Sequence, residues 1–155
     1  MVSKDFANKI NAEIFGGQNY TPPTTWYFGL STQAITDGIV PVGAEPTNPG
    51  YSRTQIANNQ TNFTAPTYNA TYTLSFVSNK TPITMSEITG GSQITVPYFF
   101  LSSSNTGNTC EIWGSFANAR ILTVDSQLII KAGGAIFSLE NIWPINEVKL
   151  NVTTY

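Results

Sequence analysis

The sequence contains no histidine and little charge, and both absences restrict its function. Without imidazole, it lacks the usual general base of hydrolytic triads, the most common zinc ligand and the usual sensor of mildly acidic pH. Seven basic and nine acidic residues are present, and they form no run of either sign. Nucleic-acid binders normally cluster Lys and Arg to displace counterions, so we expect no nucleic-acid partner.

Cysteine and long apolar runs are also scarce. Cys110 is the single cysteine, which excludes an internal disulfide, and its alternating segment predicts a small buried residue rather than a reactive thiol. No segment approaches the roughly 20 apolar residues that span a membrane, and the start at Met1 lacks the apolar stretch of a secretory signal. We therefore expect no membrane partner and synthesis in the cytoplasm.

The polar content consists mainly of uncharged side chains. Thr, Asn, Ser and Gln make up 55 of the 155 residues, a composition typical of turns and solvated strand faces. Asn-x-Thr triplets are expected by chance in such a chain, so we interpret those present as composition rather than glycosylation sites. The length suits one domain, 1–155, that buries about two-thirds of its unfolded surface.

Residues 4–15 are predicted to form a short N-terminal helix. Apolar residues recur there at spacings of three and four, at Phe6, Ile10 and Ile14, with Ser3 as N-cap and Gly16 as the stop. A helix of twelve residues is marginally stable alone, so its apolar stripe must dock. It docks either on its own β-domain or on a neighbouring subunit, which makes Phe6, Ile10 and Ile14 candidate interface residues.

From residue 25 onward the apolar period changes to two. Trp26, Phe28 and Leu30 alternate with smaller or more polar residues and predict a half-buried strand. Further strands are predicted around 72–76, 94–100, 109–116, 119–124, 127–132, 135–140 and 147–153. Pro97 moves its strand towards an edge or a bulge. The pattern predicts an all-β fold, an antiparallel β-sandwich or barrel over 25–140 with one short N-terminal helix.

Two stretches show no period. Residues 33–50 are rich in Gly and Pro, and an irregular loop of this length is often functional or ordered by a partner. Residues 57–70 are predicted to form a second, solvated loop. Arg53 has few charged neighbours in sequence, so we interpret it as a buried arginine that holds loop carbonyls rather than a ligand-binding residue.

The sequence offers weak candidates for chemistry. Asp37 and Glu45 share the long loop and are the candidate pair of catalytic carboxylates. The favoured interpretation is that both are solvated loop charges. We expect no catalytic, cofactor or metal site and no enzymatic activity. Among the large aromatics, Trp26 and Trp113 are predicted core residues, while Trp143 beside Pro144 is a candidate interface anchor.

Several segments, taken in order, resemble a family of small tailed-bacteriophage proteins labelled tail-fibre-like or minor virion proteins. The matching segments are Phe15-Gly16-Gly17, Tyr20 to Thr32 with Pro22-Pro23 and Trp26-Tyr27, Glu45-Pro46, Pro49-Gly50-Tyr51-Ser52-Arg53, Asn58-Asn59, Asn62-Phe63, Ile94-Thr95, Phe100-Leu101, Ile112 to Phe116, Leu122 to Gly134, and Phe137-Ser138-Leu139. The resemblance implies a β-rich virion component without catalytic residues. We expect it to be made in the cytoplasm of the bacterial host and to lie on the surface of the phage particle.

The sequence departs from that pattern at two places. The stretch 65–93 is more elaborate than usual, and the family pattern ends near Leu139. Residues 142–155 are predicted to form a C-terminal arm or an extra edge strand used in assembly, because unpaired strand edges accept a partner strand. The candidate interface residues of this arm are Trp143, Val148, Leu150, Val152 and Tyr155.

These features predict a non-catalytic exterior accessory of the virion. A capsid decoration (cement) protein or a small collar or tail component would act through oligomeric contacts with major capsid, tail or neck proteins and with copies of itself. The alternative is a carbohydrate-binding adhesion module of a tail fibre, in which exposed Tyr and Trp side chains stack on a host glycan.

Overall fold

The computed structural model describes residues 1–69 and 74–138, which form one helix and nine strands. The bounds are α1 (Lys4–Phe15), β1 (Thr25–Ser31), β2 (Thr54–Ala57), β3 (Thr67–Asn69), β4 (Leu74–Ser78), β5 (Ile83–Thr84), β6 (Ile94–Ser102), β7 (Ile112–Leu122), β8 (Ile129–Ile130) and β9 (Ile136–Ser138). The strands pair antiparallel in sheets of order β2-β1-β6-β7, β3-β4-β9 and β5-β8. The prediction of an all-β fold with one short N-terminal helix is confirmed.

Helix α1 begins and ends where its capping residues predict. The Ser3 hydroxyl accepts a hydrogen bond from the Phe6 N–H at 3.1 Å, and Asp37 accepts one from the Lys4 N–H at 2.9 Å. At the other end the Gly16 N–H donates to the Ala12 carbonyl. These bonds satisfy backbone groups that a helix terminus leaves without partners.

The main core lies on one face of the four-stranded sheet. Phe28 of β1 stacks on Phe99 of β6 at 5.8 Å between ring centroids, and Phe99 meets Phe116 of β7 edge-on at 5.1 Å. Phe6 of α1 packs edge-on against Trp26 at 6.4 Å and is itself buried. The predicted core position of Trp26 is therefore confirmed, and the first half of the helix docks on its own β-domain.

The opposite face of the same sheet is covered by the loop of residues 33–50. Ile35, Val40 and Ala44 of this loop are buried against Phe100 and Trp113, in a second apolar cluster. The length of the loop suggested that a partner orders it. In the structure, contacts within the chain order it. Strand β1 is correspondingly buried on both faces near its end, so the half-buried interpretation was wrong there.

Pro97 produces a bulge in the pairing of β6 with β7. Val96 pairs with Arg120 and Tyr98 with Ser115, so one residue of β6 faces residues 116–119 of β7. Proline has no N–H to donate to a ladder, which explains why the pairing is interrupted at this position. The bulge prediction is confirmed, whereas the two strands predicted at 109–116 and 119–124 are one continuous strand, β7.

The remaining strand predictions were correct in type but differed in extent. The predicted strands at 127–132 and 135–140 correspond to the shorter β8 and β9. The predicted loop 57–70 contains β3, although most of it lies outside strands. Tyr72 and the predicted strand at 147–153 lie outside the described residues.

Candidate functional site

A partly buried ion pair joins the long loop to the sheet. The Arg53 guanidinium donates from Nε to Glu45 Oε1 and from Nη2 to Oε2, both at 2.8 Å. The Tyr51 hydroxyl donates to Glu45 Oε1 and accepts a bond from the Leu30 N–H of β1, each at 2.9 Å. The two bonds from Arg53 form the forked geometry in which arginine binds a carboxylate most strongly. We call Glu45, Tyr51 and Arg53 the loop clip.

Arg53 also anchors the turn that follows β6. Its Nη1 donates to the Ser104 carbonyl at 2.9 Å, its Nη2 donates to the Gly107 carbonyl, and its guanidinium lies 4.8 Å from the centre of the Phe100 ring. The side chain is 4% exposed, so these contacts replace its solvent. Burial lowers the pKa of Arg53, but the hydrogen bonds and charge of Glu45 outweigh that effect and raise it. The interpretation of Arg53 as a buried holder of loop carbonyls is confirmed.

The two carboxylates singled out in the sequence have different partners. Glu45 is held by Arg53 and Tyr51, and Asp37 accepts a bond from the backbone of α1. Within residues 1–69 and 74–138, no group of three or more His, Cys, Asp or Glu side chains is placed to hold a metal ion. The Glu45 oxygens are engaged in fastening the loop, and the Asp37 carboxylate fastens the helix.

The structure places the helical candidate interface residues in three environments. Phe6 is buried in the main core, and Ile10 is partly buried against it. Ile14 is 55% exposed, and its neighbour Phe15 is 82% exposed. The end of the helix therefore presents two adjacent large apolar side chains to solvent, which we call the helix-end patch. The other candidates, Trp143, Val148, Leu150, Val152 and Tyr155, lie outside the described residues.

An apolar groove of about 670 Å³ opens between the four-stranded sheet and the three-stranded sheet. Its walls are mainly apolar and come from α1, β1, β4, β6, β7, β9 and the turn after β2: Phe6, Trp26, Phe63, Pro66, Phe76, Val77, Leu101, Ile112 and Phe137. Its volume falls within the range of about 300–1,000 Å³ that is usual for binding pockets. Nothing in the sequence predicts this groove, because the residues of its walls are far apart along the chain.

Two amide side chains at the rim of the groove are engaged in turn structure. The Asn58 side chain donates to the Pro23 carbonyl at 2.8 Å, and the Asn59 side chain accepts bonds from two backbone N–H groups. These amides therefore stabilise the chain that borders the groove. The groove itself offers chiefly hydrocarbon and aromatic surface.

The comparison with known families identifies the chain. The family described as podophage GP4 fiber I protein gp80 matches residues 1–138. The chain belongs to this family. It is a tail-fibre-like virion protein of tailed phages, as the resemblance implied. A search of curated proteins found no match.

The family match ends at the last residue of β9, close to the place where the sequence pattern was seen to end. It includes every residue of the loop clip, the helix-end patch and the groove. In the described part of the chain, no helix is long and apolar enough to cross a membrane.

Residues that carried the resemblance to phage fibre proteins have identifiable structural tasks. In the segment Pro49-Gly50-Tyr51-Ser52-Arg53, Tyr51 and Arg53 belong to the loop clip. Gly50 has a φ of +89°, and a Cβ there would lie 2.1 Å from the Glu87 carbonyl oxygen. Only glycine combines this backbone conformation with so close an approach. The residues of this motif thus fix the loop to the sheet.

Proposed function

We propose that the protein is a non-catalytic structural component on the exterior of a tailed-phage particle, acting through contacts with other virion proteins and with copies of itself. Fibre-family membership favours a tail or collar position over capsid decoration. The loop clip supports a structural role because its charged groups hold the fold together instead of facing a substrate. The protein would thus contribute surface and stability rather than chemistry.

The helix-end patch is the observation that carries this proposal. Ile14 and Phe15 protrude from a helix whose first half is anchored in the core, so their position relative to the sheet is fixed. Apolar side chains presented on a preorganised element lose little conformational entropy when a partner covers them. A partner protein that buries both would gain about 1.5–3 kcal/mol for each.

Incorporation of a variant into particles tests this role. We expect Ile14→Ser/Phe15→Ser to lower the number of copies per purified particle at least tenfold, because each 1.4 kcal/mol of lost binding is a factor of ten. Quantitative mass spectrometry of purified virions measures the copy number. The thermal midpoint of the isolated variant should match that of the unaltered protein, since both side chains are exposed.

Val42→Ser is the matched control, because Val42 is also apolar and is 86% exposed. It should leave incorporation unchanged. Equal incorporation of the double variant and this control would refute the patch as an assembly surface. Gold-labelled antibodies on intact virions then show where on the particle the protein lies. Label on the tail or neck would support the proposal. Label spread over the head would indicate a capsid decoration protein instead.

The groove chemistry does not favour the carbohydrate-binding alternative. Sugars need free hydrogen-bonding groups beside an aromatic face, and here the rim side chains of Asn58 and Asn59 bond to the chain itself. A glycan array probed with the recombinant protein tests the alternative directly. We expect no binding above that of an unrelated β-sandwich.

A further inference from the structure

The helix-end patch and the apolar groove are two apolar surfaces of opposite shape on the same chain. The patch protrudes, with Ile14 55% exposed and Phe15 82% exposed. The groove is concave, and among the residues that the structure describes its wall residues Phe63, Phe76 and Val77 are only partly buried. Contiguous exposed apolar surface usually marks a place where proteins make contact. A projection and a cavity of the same chemistry are therefore candidates to bind each other.

The patch does not reach the groove of its own molecule. Phe6 forms part of the groove wall and lies on the same helix as Phe15, nine residues earlier. This spacing is about 14 Å along the axis and about two and a half turns, so Phe15 points away from the side that Phe6 buries. Because Phe6 is fixed in the main core, the helix cannot turn Phe15 towards the groove. Phe15 can enter such a groove only in a second copy.

Opposite charges flank the two surfaces. Glu13 precedes the patch and is exposed, and its carboxylate accepts a hydrogen bond from the Tyr20 N–H. Lys80 is exposed at the rim of the groove, where its Nζ donates to the carbonyl of the lining residue Gln60 at 3.4 Å. Neither charge takes part in the salt bridges of the described residues. Both are thus available to pair across a contact between copies.

We propose that Ile14 and Phe15 of one copy insert into the apolar groove of a second copy, with Glu13 of the first beside Lys80 of the second. This inference rests on the proposed function, because it names the partner that covers the helix-end patch. The patch and the groove are different surfaces, so each copy can insert its patch into one neighbour and receive the patch of another. Copies joined in this way form a closed ring or an open filament.

A single contact of this kind is small. An aromatic side chain buries about 150–250 Å², whereas each partner in a stable interface buries about 800 Å². Two isolated copies should therefore dissociate in a dilute sample, so its thermal midpoint does not depend on the contact. Copies that a particle or a closed ring holds together have effective concentrations in the millimolar range, at which a weak contact is occupied.

Photo-cross-linking of the full chain at about millimolar concentration tests the contact. Phe15 is replaced by p-benzoylphenylalanine, which keeps an aromatic ring there, in an equal mixture of ¹⁵N-labelled and unlabelled protein. We expect cross-links that join a labelled copy to an unlabelled one at Phe63, Val77 or Phe137 of the groove wall. The control carries the same photoreactive residue in place of Val42, which is exposed and outside the patch, and should give no cross-links to the groove.

Charge reversal distinguishes a specific contact from a folding defect. Lys80→Glu should lower the yield of groove cross-links about two- to fivefold, as expected for loss of an exposed ion pair. Adding Glu13→Lys to that variant should restore the yield, because the pair is present again with its signs exchanged. Equal yields from the single and the double variant would overturn the proposal.

The remaining outcomes separate this inference from the proposed function. Cross-links within one copy only, cross-links to other surfaces, or none at all would overturn the inference. Reduced particle incorporation of Ile14→Ser/Phe15→Ser without groove cross-links would leave the proposed function standing and overturn this inference alone. Groove cross-links together with unchanged incorporation would support the contact between copies and refute the patch as a surface that assembly requires.

Discussion

Replacing Glu45 with Gln should destabilise the fold strongly, although the two side chains have nearly the same shape. The glutamate accepts two bonds from Arg53 and one from Tyr51. In the amide, one acceptor oxygen becomes an NH₂ group, and the Arg53 charge loses its counter-ion. Arg53 is 4% exposed, so water cannot replace that counter-ion.

The size of the loss follows from the burial of the pair. Removing one partner of a buried ion pair costs about 3–5 kcal/mol, because the remaining charge stays uncompensated. Glu45 is 28% exposed, and Arg53 retains its bonds to two backbone carbonyls. We therefore expect the lower end of that range, about 3 kcal/mol of unfolding free energy. In a domain of this size it corresponds to a fall of about 6–12 °C in the thermal midpoint.

Urea unfolding followed by tryptophan fluorescence measures this free energy. Lys9→Gln is the control: it breaks the exposed Asp5–Lys9 pair at 2.6 Å and should change stability by no more than about 0.5 kcal/mol. In the double variant Glu45→Gln/Arg53→Met, the two losses should be clearly less than additive. A loss for Glu45→Gln no larger than that for Lys9→Gln would refute the view that the loop clip holds the loop on the sheet.

Three further predictions concern the interior. Gly29→Ala places a Cβ 2.2 Å from Phe100 Cζ and should cost about 1–3 kcal/mol of unfolding free energy. Gly90→Ala is the control, because the nearest contact of its Cβ is 3.3 Å away and the cost should be small. Similar losses of the two variants in urea unfolding would contradict this prediction. Asn79 is 1% exposed, and Asn79→Ala removes its side-chain bonds to one backbone N–H and to two backbone carbonyls. Calorimetry should report a loss of about 3 kcal/mol of unfolding free energy. An unchanged thermal midpoint would show that these bonds are dispensable. Burial raises the pKa of Cys110 from its ordinary value near 9 to about 12, so the folded state holds this proton more tightly than the unfolded chain does. The thiol should lower stability progressively as pH rises above about 9, by at most about 1.4 kcal/mol per pH unit. Cys110→Ala should make the fall in stability between about pH 9 and 10 shallower, because the tyrosines titrate mainly above that range; an identical slope in the variant would contradict the assignment.

Local signals in the sequence were sufficient for the helix and the principal strands. Ser3 and Gly16 bound α1 through bonds to residues three and four positions away, so the sequence around them contains the information needed. Pro97 likewise disrupts pairing because of its own covalent structure, and the bulge could be predicted without knowing the partner strand.

Features that depend on distant residues were not predictable in this way. The order of the loop 33–50 comes from contacts with Phe100 and Trp113, more than 50 positions away, and its length alone suggested the opposite. In the sequence Asn79 is simply the first residue of an Asn-x-Thr triplet, yet it is buried and bonded to residues 51–56 positions away. The candidate site was therefore only partly predictable: the buried role of Arg53 was recognised, while its partner Glu45 and the groove emerge only from the folded arrangement.

The bulge opposite Pro97 also bears on how the protein behaves at high concentration. Strand β7 lies at the edge of its sheet, and a long regular edge is a template for uncontrolled polymerisation of identical chains. Here residues 1–3 bond to the first part of that edge, and residues 116–119 interrupt its regular spacing, with the Arg120 guanidinium 5.6 Å from the centre of the Phe116 ring. Because the edge is broken into short stretches, it is a poor template for fibrils that would grow through β7.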